Sequence, residues 1–156
     1  MRVALGSDHA GFALKERLKR ELESLGHQAL DLGTFAPEPA VDYPDFCFPV
    51  AERVARGEVD RGIVLGGSGI GESIAANKVA GVRASVVTSA ETARLTRAHN
   101  DSNVLAVGGR TNPDHEAVAG WLRIWLETAF EGGRHLARLE KIGRYETEHM
   151  MKGSPR

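Results

Sequence analysis

Cysteine is nearly absent. The 156 residues contain a single thiol, Cys47, so no disulfide can form within the chain. It sits in the apolar stretch DFCFP, the setting of a buried, inert thiol rather than a nucleophile. An excess of one charge is also missing. The net charge of -1 does not favour a nucleic-acid or anionic-membrane partner. No run of about 20 apolar residues occurs, which excludes an evident membrane-spanning helix. The six histidines (His9, His27, His99, His115, His135 and His149) show no close ligand spacing, and no cysteine cluster accompanies them, so no metal is expected. The N-terminal MRVALGSDHAG reads as a strand, without the basic, apolar and cleavage regions of a signal peptide, and a cytoplasmic address is expected. Internal repeats, low-complexity segments and long linkers are lacking too. What is present is 42% hydrophobic and 26% charged residues. That composition is globular, and the length suits one domain over 1–156 that buries a core without staples.

Strand and helix signals alternate along the chain. Arg2–Leu5 is short and β-prone. Phe12, Leu14, Leu18, Leu22 and Leu25 then form an apolar stripe at helical spacing, ended by Gly26. HQALDLG is a second strand. FAPEPAVDYPDF carries too much proline for an element interior. Phe46–Val54 reads as a helix, RGIVLGG as a buried third strand, and Ile70–Val79 as a short helix. Arg83–Val87 and Val104–Val107 are strands on either side of an Ala90–Ala98 helix. Helices follow from Pro113 to about Phe130 and from Arg134 to His149, and the tail MMKGSPR is expected to fray. This alternation predicts parallel βαβ units in one open α/β sheet, with ligands at the carboxyl ends of the strands. SDHAG, GSGIGE and GGRTN, which follow strands one, three and five, should share that edge.

The segment LGGSGIGESIAANK carries the most specific chemistry. Gly67, Gly69 and Gly71 leave backbone N–H groups uncovered before a helix start, a ready site for an anion or oxyanion. A P-loop would end in Gly-Lys-Ser/Thr, and Glu72 stands in the lysine's place. Acids are common in first helical turns for the macrodipole alone. That dipole and the N–H groups should lower the Glu72 pKa, leaving an ionised base beside an oxyanion hole. The combination suits proton abstraction next to a carbonyl. Asp8-His9 follows strand one and has a plainer role at a helix start. His99-Asn100 ends the fourth helix, where the dipole also favours a histidine. Arg134 and Arg138 share one helix face, and Arg110 follows the glycine pair after strand five. These arginines suit bidentate phosphate contact, or form a solvated face neutralised by Glu131 and Glu140. Tyr43 offers a hydroxyl or simply packs. Trp121 and Trp125 belong to a core or a subunit contact.

Five motifs in order, GSDHAGF, DYPDF, GGSGIGESIAANK, RAHNDSNVLAVGGR and GGRHLARLEKI, resemble the B-type ribose-5-phosphate isomerases, a family that includes the galactose-6-phosphate isomerase subunits. The resemblance covers residues 2 to 145. It implies a three-layer α/β/α Rossmann-like (flavodoxin-like) sandwich with a five-stranded parallel sheet. It also implies at least a homodimer, alone or paired into a tetramer, whose active site is shared between subunits. The implied reaction is cofactor-free interconversion of ribose 5-phosphate and ribulose 5-phosphate through an enediolate. Carried over by resemblance, Glu72 is the proton-shuttling base and His99 the acid-base group of ring opening, with Asn100 beside it. Gly67, Ser68, Gly69, Ile70 and Gly71 hold the enediolate oxygen. Asp8 and His9 hold the sugar and its phosphate end, and Tyr43 lines the pocket. Arg110, Arg134 and Arg138 bind phosphate, some across the subunit boundary, and the helix of about 134–149 completes that site. Many members carry a cysteine base at the position of Gly66, so this chain resembles the glutamate branch. The same machinery would serve galactose, allose or tetrose phosphates. A non-catalytic phosphate-binding module is the reading of another class.

Overall fold

The structure, a computed structural model, describes residues 1–150. The expected fraying of the tail falls, from residue 151 on, outside the described residues. Five parallel strands, β1 (Arg2–Ser7), β2 (Gln28–Asp31), β3 (Arg61–Gly66), β4 (Ala84–Val86) and β5 (Val104–Gly108), lie in the order β2-β1-β3-β5-β4. The helices are α1 (Phe12–Ser24), α2 (Pro44–Ala55), α3 (Ile70–Ala76), α4 (Ala90–Asn100), α5 (His115–Glu127) and α6 (Leu136–His149). A 3-10 turn over Gly133–His135 precedes α6. The sandwich is the expected one, although the last two strands are exchanged relative to the 2-1-3-4-5 order of flavodoxin.

Alternating side chains build two cores on the two faces of the sheet. Val3, Leu5, Ile63, Leu65, Leu105 and Val107 point to one face, where Leu14, Leu18, Leu22, Val118, Leu122 and Trp125 from α1 and α5 cover them. Ala4, Val64, Val104 and Ala106 point to the other face, against Cys47, Val50 and Ala51 of α2 and Ala75 and Ala76 of α3. Full burial of one such Leu or Val contributes about 1.5–3 kcal/mol. Trp125 is wholly buried, and its indole N–H donates to Ser102 Oγ at 2.7 Å. The tryptophan pair is therefore divided, since Trp121 only flanks the core.

Charged pairs lock α1 to its neighbours. Lys15 is fully buried, with its Nζ 2.6 Å from Asp31 and 2.7 Å from Glu16, and Lys19 reaches Asp31 at 2.6 Å. Burial alone would raise the Asp31 pKa; the two lysines overcome it and hold the carboxyl below its ordinary value. Arg17 joins Glu116 through two bonds of 2.6 and 2.7 Å, and Glu21 pairs with both Arg17 and Arg123. These pairs tie α1 to α5.

Helix ends follow local chemistry. Ser89 and Thr92 form a reciprocal capping box that starts α4. Asp114 accepts from Glu116 and Ala117 N–H and starts α5 one residue after Pro113, later than the sequence predicts. The expected end near Phe130 also moves back, because Thr128 turns extended after Glu127. α6 differs from the other helices, since none of its residues is buried.

Candidate active site

The strand order sets β1, β3 and β5 side by side, so the three expected loops do share the carboxyl edge. They are also stitched together. Asp8 N–H donates to Leu65 O at 3.2 Å, Gly109 N–H to Gly66 O at 2.8 Å, and Arg110 N–H to Gly67 O at 3.1 Å. Gly69 has φ +80°, and its neighbour Val107 leaves no room for a side chain. That left-handed residue turns β3 sharply into α3.

Glu72 lies in the first turn of α3 and is 3% exposed. Its Oε2 is buried without a hydrogen-bond partner. A Cβ on Gly66 would fall inside the Glu72 carboxyl group. The carboxylate therefore fills the volume in which a side chain at residue 66 would stand. Its pKa departs from the sequence expectation. Burial raises it, and the nearby negative charge of Asp8 adds to this, against the pull of the N–H groups of Glu72 itself, Gly69 and Gly67. Desolvation wins over the helix start because α3 has only 7 residues and the carboxyl is shut from water. The outcome is a stronger base than a surface glutamate.

Around Glu72 the expected residues assemble closely. Tyr43 packs its ring against Gly71, where an added Cβ would come 2.7 Å from Cζ. Val41 N–H donates to His9 Nδ1 at 3.2 Å, which pins the proline-rich loop over this edge. Asp8 is buried, and its Oδ1 accepts from Gly11 N–H at 2.9 Å, so part of its capacity starts α1. Ser68 Oγ likewise accepts from Ile70 N–H at 3.2 Å. The Ile70 side chain points outward, 58% exposed, so only its backbone serves the loop. Arg110 lies over Gly67 and is exposed. Cys47 is buried, and burial, with the charges of Glu72 and Asp8, pushes its thiol pKa far up. It is the inert thiol that its setting implies.

His99 and Asn100 do not join this group. They end α4, which begins after β4 and returns to the amino end of β5. In a parallel sheet that places them at the opposite edge, about 17 Å away along a five-residue strand. The same edge holds the segment after α5. Glu131 N–H donates to Ala98 O at 2.9 Å, and the His135 ring stacks on His99 with centroids 4.2 Å apart and planes at 11°. Arg134 and Arg138 follow, exposed, and neither makes an ion pair among the described residues. The neutralising role considered for Glu131 and Glu140 is thus not seen; Glu131 faces the two histidines instead, at 3.7 and 3.8 Å. A groove of about 550 Å³ lies at this edge between α6 and β4, lined by Asn77, Arg83, Ser85, Asn100, Ile142 and Tyr145 among others. Glu72 has no part in it.

The expected site residues therefore form two half-sites. Asp8, His9, Tyr43, the glycine loop, Glu72 and Arg110 occupy the carboxyl edge. His99, Asn100, Arg134 and Arg138 occupy the amino edge. His135, which sequence reasoning passed over, belongs to the second group. Its only signal was a place between two arginines of interest.

The ribose/galactose isomerase family model matches residues 3–142. The chain is 44% identical over 156 residues to ribose-5-phosphate isomerase B of Mycolicibacterium paratuberculosis, covering 99% of this chain and 98% of the relative. Ribose-5-phosphate isomerase B of Clostridium thermocellum superposes with a TM-score of 0.92 at 46% identity, over 96% of this chain and 99% of that one. The Mycoplasma genitalium ribose-5-phosphate isomerase B, solved with bound ribulose-5-phosphate, gives 0.90 at 39% identity, over 94% and 97%.

Proposed function

The chain belongs to the ribose/galactose isomerase family, and from that premise we propose that it interconverts D-ribose 5-phosphate and D-ribulose 5-phosphate with Glu72 as the base. One observation carries the assignment of the base: a buried carboxylate with an unpartnered oxygen, enclosed by the glycine loop at the ligand-binding edge. On the open-chain aldose, Glu72 takes the C2 proton. Electron density moves onto the C1 oxygen, and loop N–H groups stabilise the enediolate. The proton then returns to C1, while the O2 proton passes to O1 and C2 becomes the carbonyl. Atoms and charge balance without an added cofactor. Asp8 and His9 hold sugar hydroxyls or the phosphate end, Tyr43 walls the pocket, and Arg110 contributes to phosphate binding.

Ring opening requires a proton moved at the ring oxygen and the anomeric hydroxyl, which suits a histidine. His99 stands at the wrong edge to serve Glu72 of its own chain. The working site therefore pairs the carboxyl edge of one copy with His99, Asn100, Arg134 and Arg138 of the partner subunit. The unpaired surface of one chain favours such a homodimer. α6 buries none of its residues, and Leu136, Ile142, Tyr145, Ile70 and Ile74 are 48–62% exposed. Apolar exposure on that scale marks an interaction surface. Among the described residues no helix is long and apolar enough to cross a membrane. A cytoplasmic address and a place in pentose phosphate metabolism follow from the proposed substrate.

The test is isomerisation with solvent exchange at the carbons between which the proton moves, measured in heavy water on ribose 5-phosphate and on six-carbon phosphates. Turnover and deuterium uptake on ribose 5-phosphate, both lowered by about 10²–10⁴-fold in Glu72→Gln, are expected. Binding without exchange on any sugar phosphate would instead leave a non-catalytic module, and a preference for a six-carbon phosphate would reassign the substrate.

A further inference from the structure

The His99, Glu131 and His135 cluster has the chemistry of a metal centre. One ligand atom from each residue lies within 4.8 Å of the others. Both Nε2 atoms face the same oxygen, Glu131 Oε2, at 3.7 and 3.8 Å. Zinc ligated at 2.0–2.2 Å in tetrahedral geometry sets its donors roughly 3.3 Å apart. Each histidine nitrogen thus needs to close on Glu131 by about half an ångström, and the two histidine donors, within 4.8 Å of each other, draw together further as the stacked rings splay to converge on the ion.

The backbone already holds the three residues together. Glu131 N–H is bonded to Ala98 O at 2.9 Å, and Arg97 Nε reaches Thr128 O at 3.4 Å, so the segment after α5 is fixed to α4. The turn through Gly132 and Gly133, both at positive φ, then brings His135 back, with its N–H donating to Gly132 O at 3.0 Å. His135 is 6% exposed, whereas the His99 and Glu131 side chains are 32% and 54% exposed. Two imidazoles and a carboxylate with an open solvent side match the ligand set of a three-ligand zinc site. One neighbour opposes it. Arg138 Nη1 lies 3.5 Å from His135 Nδ1, and a metal on Nε2 puts a proton on Nδ1, so Arg138 must turn away. It is exposed and free to do so.

We propose that His99, Glu131 and His135 form a binding site for a zinc-type divalent cation, and that occupancy of this site inhibits the enzyme by engaging His99. The binding stands on the geometry alone. The inhibition rests on the place given to His99 in ring opening. Full-length protein stripped with a chelator is titrated with zinc by calorimetry and with cobalt by visible absorption, magnesium and calcium serving as controls. One zinc per chain and the visible bands of four-coordinate cobalt are expected. Magnesium and calcium, which require oxygen-rich sites, should not bind there. His135→Ala should lose at least about a hundredfold in zinc affinity, as loss of a direct ligand should exceed the 10–100-fold of an outer partner. Glu131→Gln, at an exposed position, repeats the test without touching the core. Zinc affinity unchanged in both variants, or equal affinity for magnesium, would overturn the site while leaving the proposed reaction intact. Zinc should suppress turnover on the cyclic sugar at the occupancy seen by calorimetry, with recovery on adding chelator. Full turnover at full occupancy would overturn the inhibition and remove His99 from ring opening.

Discussion

Because a Cβ on Gly66 would collide with the Glu72 carboxyl group, residues 66 and 72 cannot both carry a base. Gly66→Cys alone is expected to displace Glu72 and lower turnover by about a hundredfold or more, on the scale of a lost general base. Gly66→Cys with Glu72→Ser should recover part of the rate and make it sensitive to thiol alkylation. Wild-type rates in the single variant would refute the shared volume. Glu72→Gln should lower turnover by about 10²–10⁴-fold. It should not cost stability at neutral pH, because the raised Glu72 pKa marks an ionised carboxylate that burial disfavours. The sign follows from proton linkage. The folded chain holds the Glu72 proton more tightly than the unfolded one, so stability falls as pH rises from the ordinary glutamate range through the raised folded pKa. Thermal melts across that window should show the decline in the wild type and less of it in Glu72→Gln. Asp31 runs the other way. Its pKa is lowered, so its stabilising contribution is present above the unfolded value and is lost as acid reaches the folded one. With Glu72 as the proposed base, the acid limb of kcat/KM should lie above the ordinary glutamate range, since a base must be ionised in the free enzyme to react.

At the level of elements, α6 is the part of the fold that one chain does not explain. Among the described residues its apolar side chains Leu136, Ile142 and Tyr145 stay 48–62% exposed, and no residue of the helix is buried. Ile142→Glu and Tyr145→Glu are expected to keep the helical and strand content while yielding monomers in light scattering, with turnover falling together with the dimer fraction. A monomer with full activity would contradict the divided site. Most elements were legible in the sequence because strands β1, β3 and β5 alternate strictly between two buried faces and glycines mark the turns. β4 shrank to Ala84–Val86 because it forms the edge of the sheet. The carboxyl-edge half of the site was legible too, because each loop follows a strand directly. The raised Glu72 pKa was not legible, since burial is set by how the side chain folds back against Gly66 rather than by the first helical turn. The His99–His135 stack was hidden for another reason. It depends on how the segment after α5 folds back on α4, and no local spacing records that.

For the whole molecule the decisive feature is that Glu72 and His99 stand at opposite edges of one sheet. Mixing Glu72→Gln with His99→Asn, each inactive alone, should restore turnover when subunits are exchanged. Random pairing puts half of the chains in mixed dimers, each with one intact site, so about a quarter of wild-type activity is expected. No recovery after demonstrated exchange would place both residues in the same chain's site. The same geometry reaches into genetics. In the proposed dimer, two defective alleles would complement each other when their lesions fall on opposite edges, and fail to when they share one. An allele damaged at both edges would then behave worse than a deletion, because every wild-type chain paired with it would sit in a dimer with neither site intact.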